Sequence, residues 1–182
     1  VGIYFKIPPY TILGFKEVSG DFTNRNAKYT KSNHYVTGFE YALGNASRIS
    51  IEGFIKNYEN FPVSIVDGVS LANKGADFEV LGNENIITNG RGKTKGIEFL
   101  FQQKLTRNFY GIFSYTFFKS EFTDINGNYL PSVWDSKHLS SFSGGYKLKR
   151  NWEVSSKWRF AGRTPYVPYD LVSSLSNYPN MI

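Results

Sequence analysis

The chain has 182 residues, 41% hydrophobic and 20% charged, with a formal net charge of +6. That is about the size of one ordinary domain, and the balance excludes both a disordered tail and a helical membrane protein. Without cysteine there are no disulfides, thiolate metal sites or cysteine nucleophiles, and Lys and Arg are too scattered to suggest a nucleic-acid partner.

Aromatic residues make up 18% of the chain, with 16 Phe and 13 Tyr, and there are 17 Gly. Such a composition points to many strands joined by tight turns. No apolar run reaches the roughly 20 residues of a membrane helix. The chain opens at Val1 without a signal-like segment, so its start is expected to lie upstream or to have been processed.

A first strand is predicted over Val1–Ile7, followed by a long excursion from Pro8 to Asn33. From His34 to Leu43 the residues alternate: Tyr35, Thr37, Phe39, Tyr41 and Leu43 share one face, and His34, Gly38, Glu40 and Ala42 the other. Gly44-Asn45 supplies a tight turn. The return strand, Arg48–Tyr58, sets Ile49, Ile51 and Ile55 against Arg48, Ser50, Glu52 and Lys56. The next excursion, Glu59 to Thr94, contains a candidate hairpin around Asp67-Gly68, with arms Pro62–Val66 and Val69–Ala72.

Two further pairs repeat the arrangement. Ile97, Phe99, Phe101 and Leu105 oppose Glu98, Gln102 and Lys104; after Thr106-Arg107-Asn108, Phe109, Phe113, Tyr115 and Phe117 oppose Ser114, Thr116 and Ser120. A loop from Glu121 to Trp134 follows. Phe142, Tyr146 and Leu148 then alternate with Ser141, Ser143 and Lys147, and beyond Lys149-Arg150-Asn151, Trp152, Val154, Trp158 and Phe160 alternate with Glu153, Ser155, Lys157 and Arg159. A last loop begins at Arg163. The sum is seven strands, with short polar turns on one side and long loops on the other, as in outer-membrane barrels.

The choice between a lipid-facing wall and a soluble sandwich falls to lipid on three features. The strands match the roughly 9–11 residues that cross a membrane at a tilt. Tyr35, Tyr58, Phe109, Trp152 and Phe160 stand where aromatic girdles belong. Glu40, Glu52, Lys56, Glu98, Lys104, Glu153, Lys157 and Arg159 put more charge on the opposite face than a dry core tolerates. Seven strands cannot close a barrel, for which bacterial proteins use an even number of about eight or more. An incomplete, single barrel domain over residues 1–182 is therefore expected.

Four stretches resemble the barrel of TonB-dependent outer-membrane receptors. They are Gly2–Tyr10, the run Lys28-Tyr29-Thr30-Lys31-Ser32-Asn33-His34-Tyr35-Val36-Thr37-Gly38-Phe39-Glu40, the run Asn89-Gly90-Arg91-Gly92-Lys93-Thr94-Lys95-Gly96-Ile97-Glu98, and Asp135-Ser136-Lys137-His138 followed by Gly162–Pro168. Thr30-Lys31 stand where the family commonly has Pro-Glu. The resemblance implies an all-β, antiparallel up-and-down transmembrane barrel of 22 strands, of which this chain supplies about seven. It also implies a plug domain and closing strands outside this chain, and an energy-transducing inner-membrane complex acting through that plug.

Sharper chemical readings fare less well. Gly92-Lys93-Thr94 lacks the earlier glycine of a phosphate loop, since Ile87 stands there. Asp124-Ile125-Asn126-Gly127-Asn128 with Asp135 suggests a calcium loop, but Tyr129 occupies the position that needs glycine. His34 and His138 lack a third metal ligand and read as solvated rim residues. The carboxylates Glu40, Glu52 and Glu98 come with no nucleophile or orienting base. No catalytic residue, metal or cofactor is therefore assigned.

The function expected is a wall and loop segment of an active nutrient importer in the outer membrane of a Gram-negative bacterium, in contact with membrane lipid. The nutrient would be a siderophore, cobalamin, peptide or glycan. Loop aromatics Phe61, Phe78, Tyr129, Trp134, Tyr166 and Tyr169 are the candidate ligand contacts, and packing among the loops explains them equally well. A passive porin-type channel and a soluble lipocalin-like barrel are the alternatives.

Overall fold

The computed structural model describes residues 1–74 and 82–165. Its elements are β1 (Gly2–Lys6), α1 (Tyr10–Leu13), β2 (Thr30–Leu43), β3 (Ser47–Ser64), α2 (Leu71–Lys74), β4 (Ile86–Thr106), β5 (Phe109–Thr123), β6 (Tyr129–Pro131), β7 (His138–Lys147) and β8 (Glu153–Ala161). They form one antiparallel sheet in the order β1-β2-β3-β4-β5-β7-β8, with β6 paired to the loop end of β5. The seven expected strands are therefore neighbours in chain order. The eighth, β6, was not anticipated; at three residues it is too short to show a period.

The register turns the alternation along each strand into rows across the sheet. One row runs through Tyr41, Ile49, Phe101, Phe113, Phe142 and Trp158. On the opposite face, Glu40, Ser50, Leu100, Ser114, Ser141 and Arg159 line up in the same way. Nothing among the described residues covers the apolar face. Ile51, Ile97, Phe117 and Trp158 are 48%, 56%, 46% and 51% exposed, the reverse of what the core of a soluble sandwich requires.

The short turns adopt left-handed backbone where they reverse. Gly44 has φ +74°, and Arg107, Arg150 and Asn151 have φ of 55°, 60° and 61°. Arg150 and Asn151 sit in a single 3-10 turn, Lys149–Asn151.

Strand extents differ from expectation. The segment expected as a loop from Glu59 to Thr94 is strand at both ends, because β3 continues to Ser64 and β4 starts at Ile86. With 21 residues, β4 is roughly 70 Å long, well beyond a tilted membrane crossing, so its loop-side half projects past the apolar band. A turn does form at Asp67-Gly68: Gly68 (φ +71°) donates to Ser64 O at 3.1 Å, and Val63 bridges Ser70. The second arm then coils into α2 instead of continuing as a strand.

The few buried apolar side chains lie in the loops and the loop-side halves of β3, β4 and β5. Ile12 of α1, Leu71 of α2 and Ile86 of β4 form a small core, with Ala27 against it. Buried Asn24 fixes the first loop to the third: its amide donates to Glu84 O at 2.7 Å, and its carbonyl accepts from Ile86 N–H at 3.1 Å. Asn73 does the same between the third loop and β6, donating to Leu130 O and Pro131 O at 2.9 and 2.7 Å. These bonds satisfy backbone groups that no ladder reaches.

Candidate functional site

The polar face divides into two zones. Near the short turns it is a charged wall. Glu52 and Glu98 stand directly opposite each other across β3 and β4, and Arg48 reaches Glu40 at 3.2 Å and Gln102 at 2.7 Å. Opposed like charges are destabilising in a ladder, and exposed ion pairs contribute little, so this zone is stable only in contact with water or another polar surface.

Toward the loops the same face becomes aromatic. Tyr4 meets His34 at 4.7 Å between ring centroids, and His34 meets Tyr58 edge-on at 6.3 Å. Tyr58 lies 5.4 Å from Phe122, which also contacts Phe61 at 4.4 Å and Trp134 edge-on at 5.7 Å. These tilted and edge-on arrangements are the ones the ring quadrupole favours. Phe122, 2% exposed, is the hub, and Trp134 remains 46% exposed. The indole is held in place: Trp134 Nε1 donates to Ser120 Oγ at 3.1 Å, Ser120 Oγ shares a 2.9 Å bond with Thr94, and Ser120 N–H donates to buried Asp135 at 2.9 Å.

Glycine makes the hub possible. Gly92 lies between Tyr58 and Phe122 in one row across β3, β4 and β5. A Cβ there would collide with one edge of the Phe122 ring. Gly96 occupies the same relation to Phe54 and Phe118, whose nearest atoms would lie 2.7 Å from an added Cβ.

Of the candidate contacts, Phe61 and Trp134 come together through Phe122. Tyr129 sits on β6, 49% exposed, and takes no part in this run of rings. Phe78, Tyr166 and Tyr169 lie outside the described residues. Phe122, Tyr58, His34 and Tyr4 were missed, although Phe122 shares its parity with Ser114, Thr116 and Ser120. Tyr58 corrects a girdle assignment: it is on the polar face with Lys56, not the apolar one with Ile55.

His34 is packed between two tyrosines and is not a solvated rim residue. His138 is on the apolar face, bonded to the Tyr115 hydroxyl at 2.8 Å, so the two histidines cannot share an ion. Asp124 closes its own turn, accepting from Asn126 N–H and Asn128 N–H at 2.9 and 2.8 Å. The Asn128 side-chain amide, helped by backbone N–H groups of Asn128, Asn126 and Gly127, holds this carboxyl below the usual aspartate range. Asp135 is committed elsewhere, to Ser120. Lys74 bridges Asp67 and Glu84, the latter at 2.6 Å. Burial works against its charge, but these two carboxylates outweigh burial and raise the ammonium above the ordinary lysine range.

Long antiparallel strands with an uncovered apolar face, a wet charged face, tight turns at one end and elaborate loops at the other define the wall of a membrane-spanning β-barrel. A family model described as TonB dependent receptor-like, beta-barrel, matches residues 2–179, and the chain belongs to that family. It is a family of receptors rather than enzymes. Among solved structures the chain is similar to the ferripyoverdine receptor of the outer membrane of Pseudomonas aeruginosa bound to ferripyoverdine. The TM-score is 0.58 at 17% identity, over 89% of this chain and 20% of that one. At that identity the likeness shows the fold alone, and the chain spans about a fifth of the receptor's length. No curated protein matches the sequence.

Proposed function

We propose that this chain forms an arc of a larger closed barrel in the outer membrane of a Gram-negative bacterium, and that the whole protein is an active importer of a scarce nutrient. The seven-strand ladder leaves β1 and β8 each with one bare edge, which lipid cannot satisfy; further strands of the same protein would pair with them. Glu40, Arg48, Glu52 and Glu98 line the passage. Energy from an inner-membrane complex would reach it through a plug encoded elsewhere in the protein.

The observation that carries this reading is the run of rings at the loop end of the polar face. There Phe61 and the exposed edge of Trp134, both held by buried Phe122, stand above the charged wall, where an incoming molecule with a planar or sugar-like face would stack. Tyr129, Tyr166 and Tyr169 belong to the same loop end in sequence and complete the proposed contact set. The ligand class is a siderophore, cobalamin, peptide or glycan.

Uptake by cells carrying or lacking the full-length gene tests the proposal. Labelled ferric siderophores, cobalamin, oligopeptides and oligosaccharides are offered with and without a protonophore. Gene-dependent accumulation of one class that stops with the protonophore supports an active importer. Accumulation that continues unchanged indicates a passive channel instead.

A further inference from the structure

The apolar face ends in a sharp step of charge. On β4 and β5 its continuous apolar run ends toward the loops at Ile97 and Phe117, which are cross-strand partners. In the next row Lys95 stands directly opposite Lys119, and in the row after that Lys93 stands opposite Glu121. Arg91 follows on the same face of β4. All four cations are exposed. Glu121 is paired with Lys119 at 2.6 Å, and the nearby Glu59 of β3 with Lys31 at 3.4 Å. Lys95, Lys93 and Arg91 take part in no ion pair among the described residues.

Like charges facing each other across a ladder repel, and the repulsion is relieved when an anion sits between them. Directly beneath Lys95 and Lys119 the surface is hollow, with a volume of about 690 Å³ lined in part by Tyr35, Gly53, Ile55, Ile97 and Phe117. Gly53 opens this hollow: a Cβ there would meet only Thr37 O, at 4.0 Å. An apolar hollow capped by Lys95, which has no ion pair among the described residues, and by Lys119, which shares its charge with Glu121, has the chemistry of an amphiphile's counterpart.

We propose that this corner of the wall binds one phosphate-bearing lipid of the outer leaflet, its acyl chain in the Gly53 hollow and its phosphate between Lys95 and Lys119. Four cations against one local carboxylate select a headgroup with more than one phosphate over a zwitterionic one. The proposal rests on the apolar face meeting lipid, with the loop end outside the cell. It adds a specific anionic lipid site outside the nutrient passage.

The test uses the full-length receptor in phosphatidylcholine nanodiscs doped with a bis-phosphorylated glucosamine lipid, with bound lipid counted by native mass spectrometry. Retention should fall about fivefold for each lysine neutralised, and on the order of a hundredfold for K93Q/K95Q/K119Q. Gly53→Leu, which fills the hollow without a backbone clash, should also weaken retention while leaving the cations in place. The dephosphorylated lipid should bind poorly, and millimolar inorganic phosphate should not displace the intact one. Retention in the triple variant equal to wild type overturns the proposal, as does full competition by free phosphate. A fluorophore at position 101, on the same face but outside the hollow, challenged with brominated lipid in the same nanodiscs, separates the two levels. Quenching with unaltered retention overturns the lipid site alone; no quenching overturns the lipid-facing assignment along with it.

Discussion

The Phe122 ring on β5 lies across Gly92 on β4 and reaches Tyr58 on β3, so one missing side chain lets two aromatic strands close over a third. A methyl group at position 92 collides with that ring and forces Phe122 off its contacts with Tyr58, Phe61 and Trp134. Gly92→Ala should cost about 1–3 kcal/mol, read from urea unfolding of the full-length receptor in lipid. The cost should largely vanish when Phe122 is already alanine. Equal costs in both backgrounds would mean that the two residues are not coupled.

Arginine on the two faces should behave unequally. Phe101 and Gln102 are adjacent on β4, near the middle of the apolar band but on opposite faces. Phe101→Arg should destabilise the folded receptor in bilayers by about 2–4 kcal/mol, whereas Gln102→Arg should cost well under half of that. Refolding titrations in vesicles measure both.

Asn24 holds the first loop to β4 with two hydrogen bonds in a buried setting. Its replacement by alanine orphans Glu84 O and Ile86 N–H, a loss of about 1–3 kcal/mol locally. Since the bonds lie among the loops, the effect should appear as faster proteolysis within residues 8–29 on intact cells, with the barrel transition little changed. A drop in barrel stability without faster loop cleavage would contradict the assignment.

The tip between β5 and β6 should respond to acid. Asp124 is held below the usual aspartate range, chiefly by the Asn128 side-chain amide. A carboxyl depressed in the folded state stabilises the fold above its unfolded value, and loses that contribution as pH falls through its folded one. Amide exchange at Asn126 and Asn128 should therefore accelerate as pH drops below about 4, after correction for intrinsic rates, and Asp124→Asn should remove the pH dependence.

The sequence displayed the fold best where the chain meets two different media. Between Ile97 and Gln102, lipid on one side and water on the other impose a strict two-residue period. Beyond Lys95 the outward face turns cationic and the covered inward positions are glycines, so the hydropathy period fades and Asn89-Gly90-Arg91-Gly92 reads as loop; only cross-strand pairing with Tyr58 and Phe61 reveals it as strand. The aromatic run was half legible. Phe61 and Trp134 stand out in the sequence as loop aromatics, but Phe122 and Tyr58 join them through register and a glycine gap, which depend on neighbouring strands. The turn at Asp67-Gly68 could be read locally, whereas the coiling of Leu71–Lys74 depends on packing against Ile12 and Ile86.

The barrel wall, the polar passage and the lipid site all depend on which face of the sheet meets lipid, and a six-residue scan of β4 measures that directly. Single cysteines replace Ile97, Glu98, Phe99, Leu100, Phe101 and Gln102 in turn, in a stretch with no native cysteine. Each carries an environment-sensitive fluorophore in the full-length receptor, in vesicles, and is challenged with brominated lipid and with aqueous iodide. Positions 97, 99 and 101 should be quenched by the lipid and spared by iodide, with 98, 100 and 102 spared by the lipid. Uniform quenching along the scan, or lipid quenching at the even positions, would contradict the lipid-facing wall.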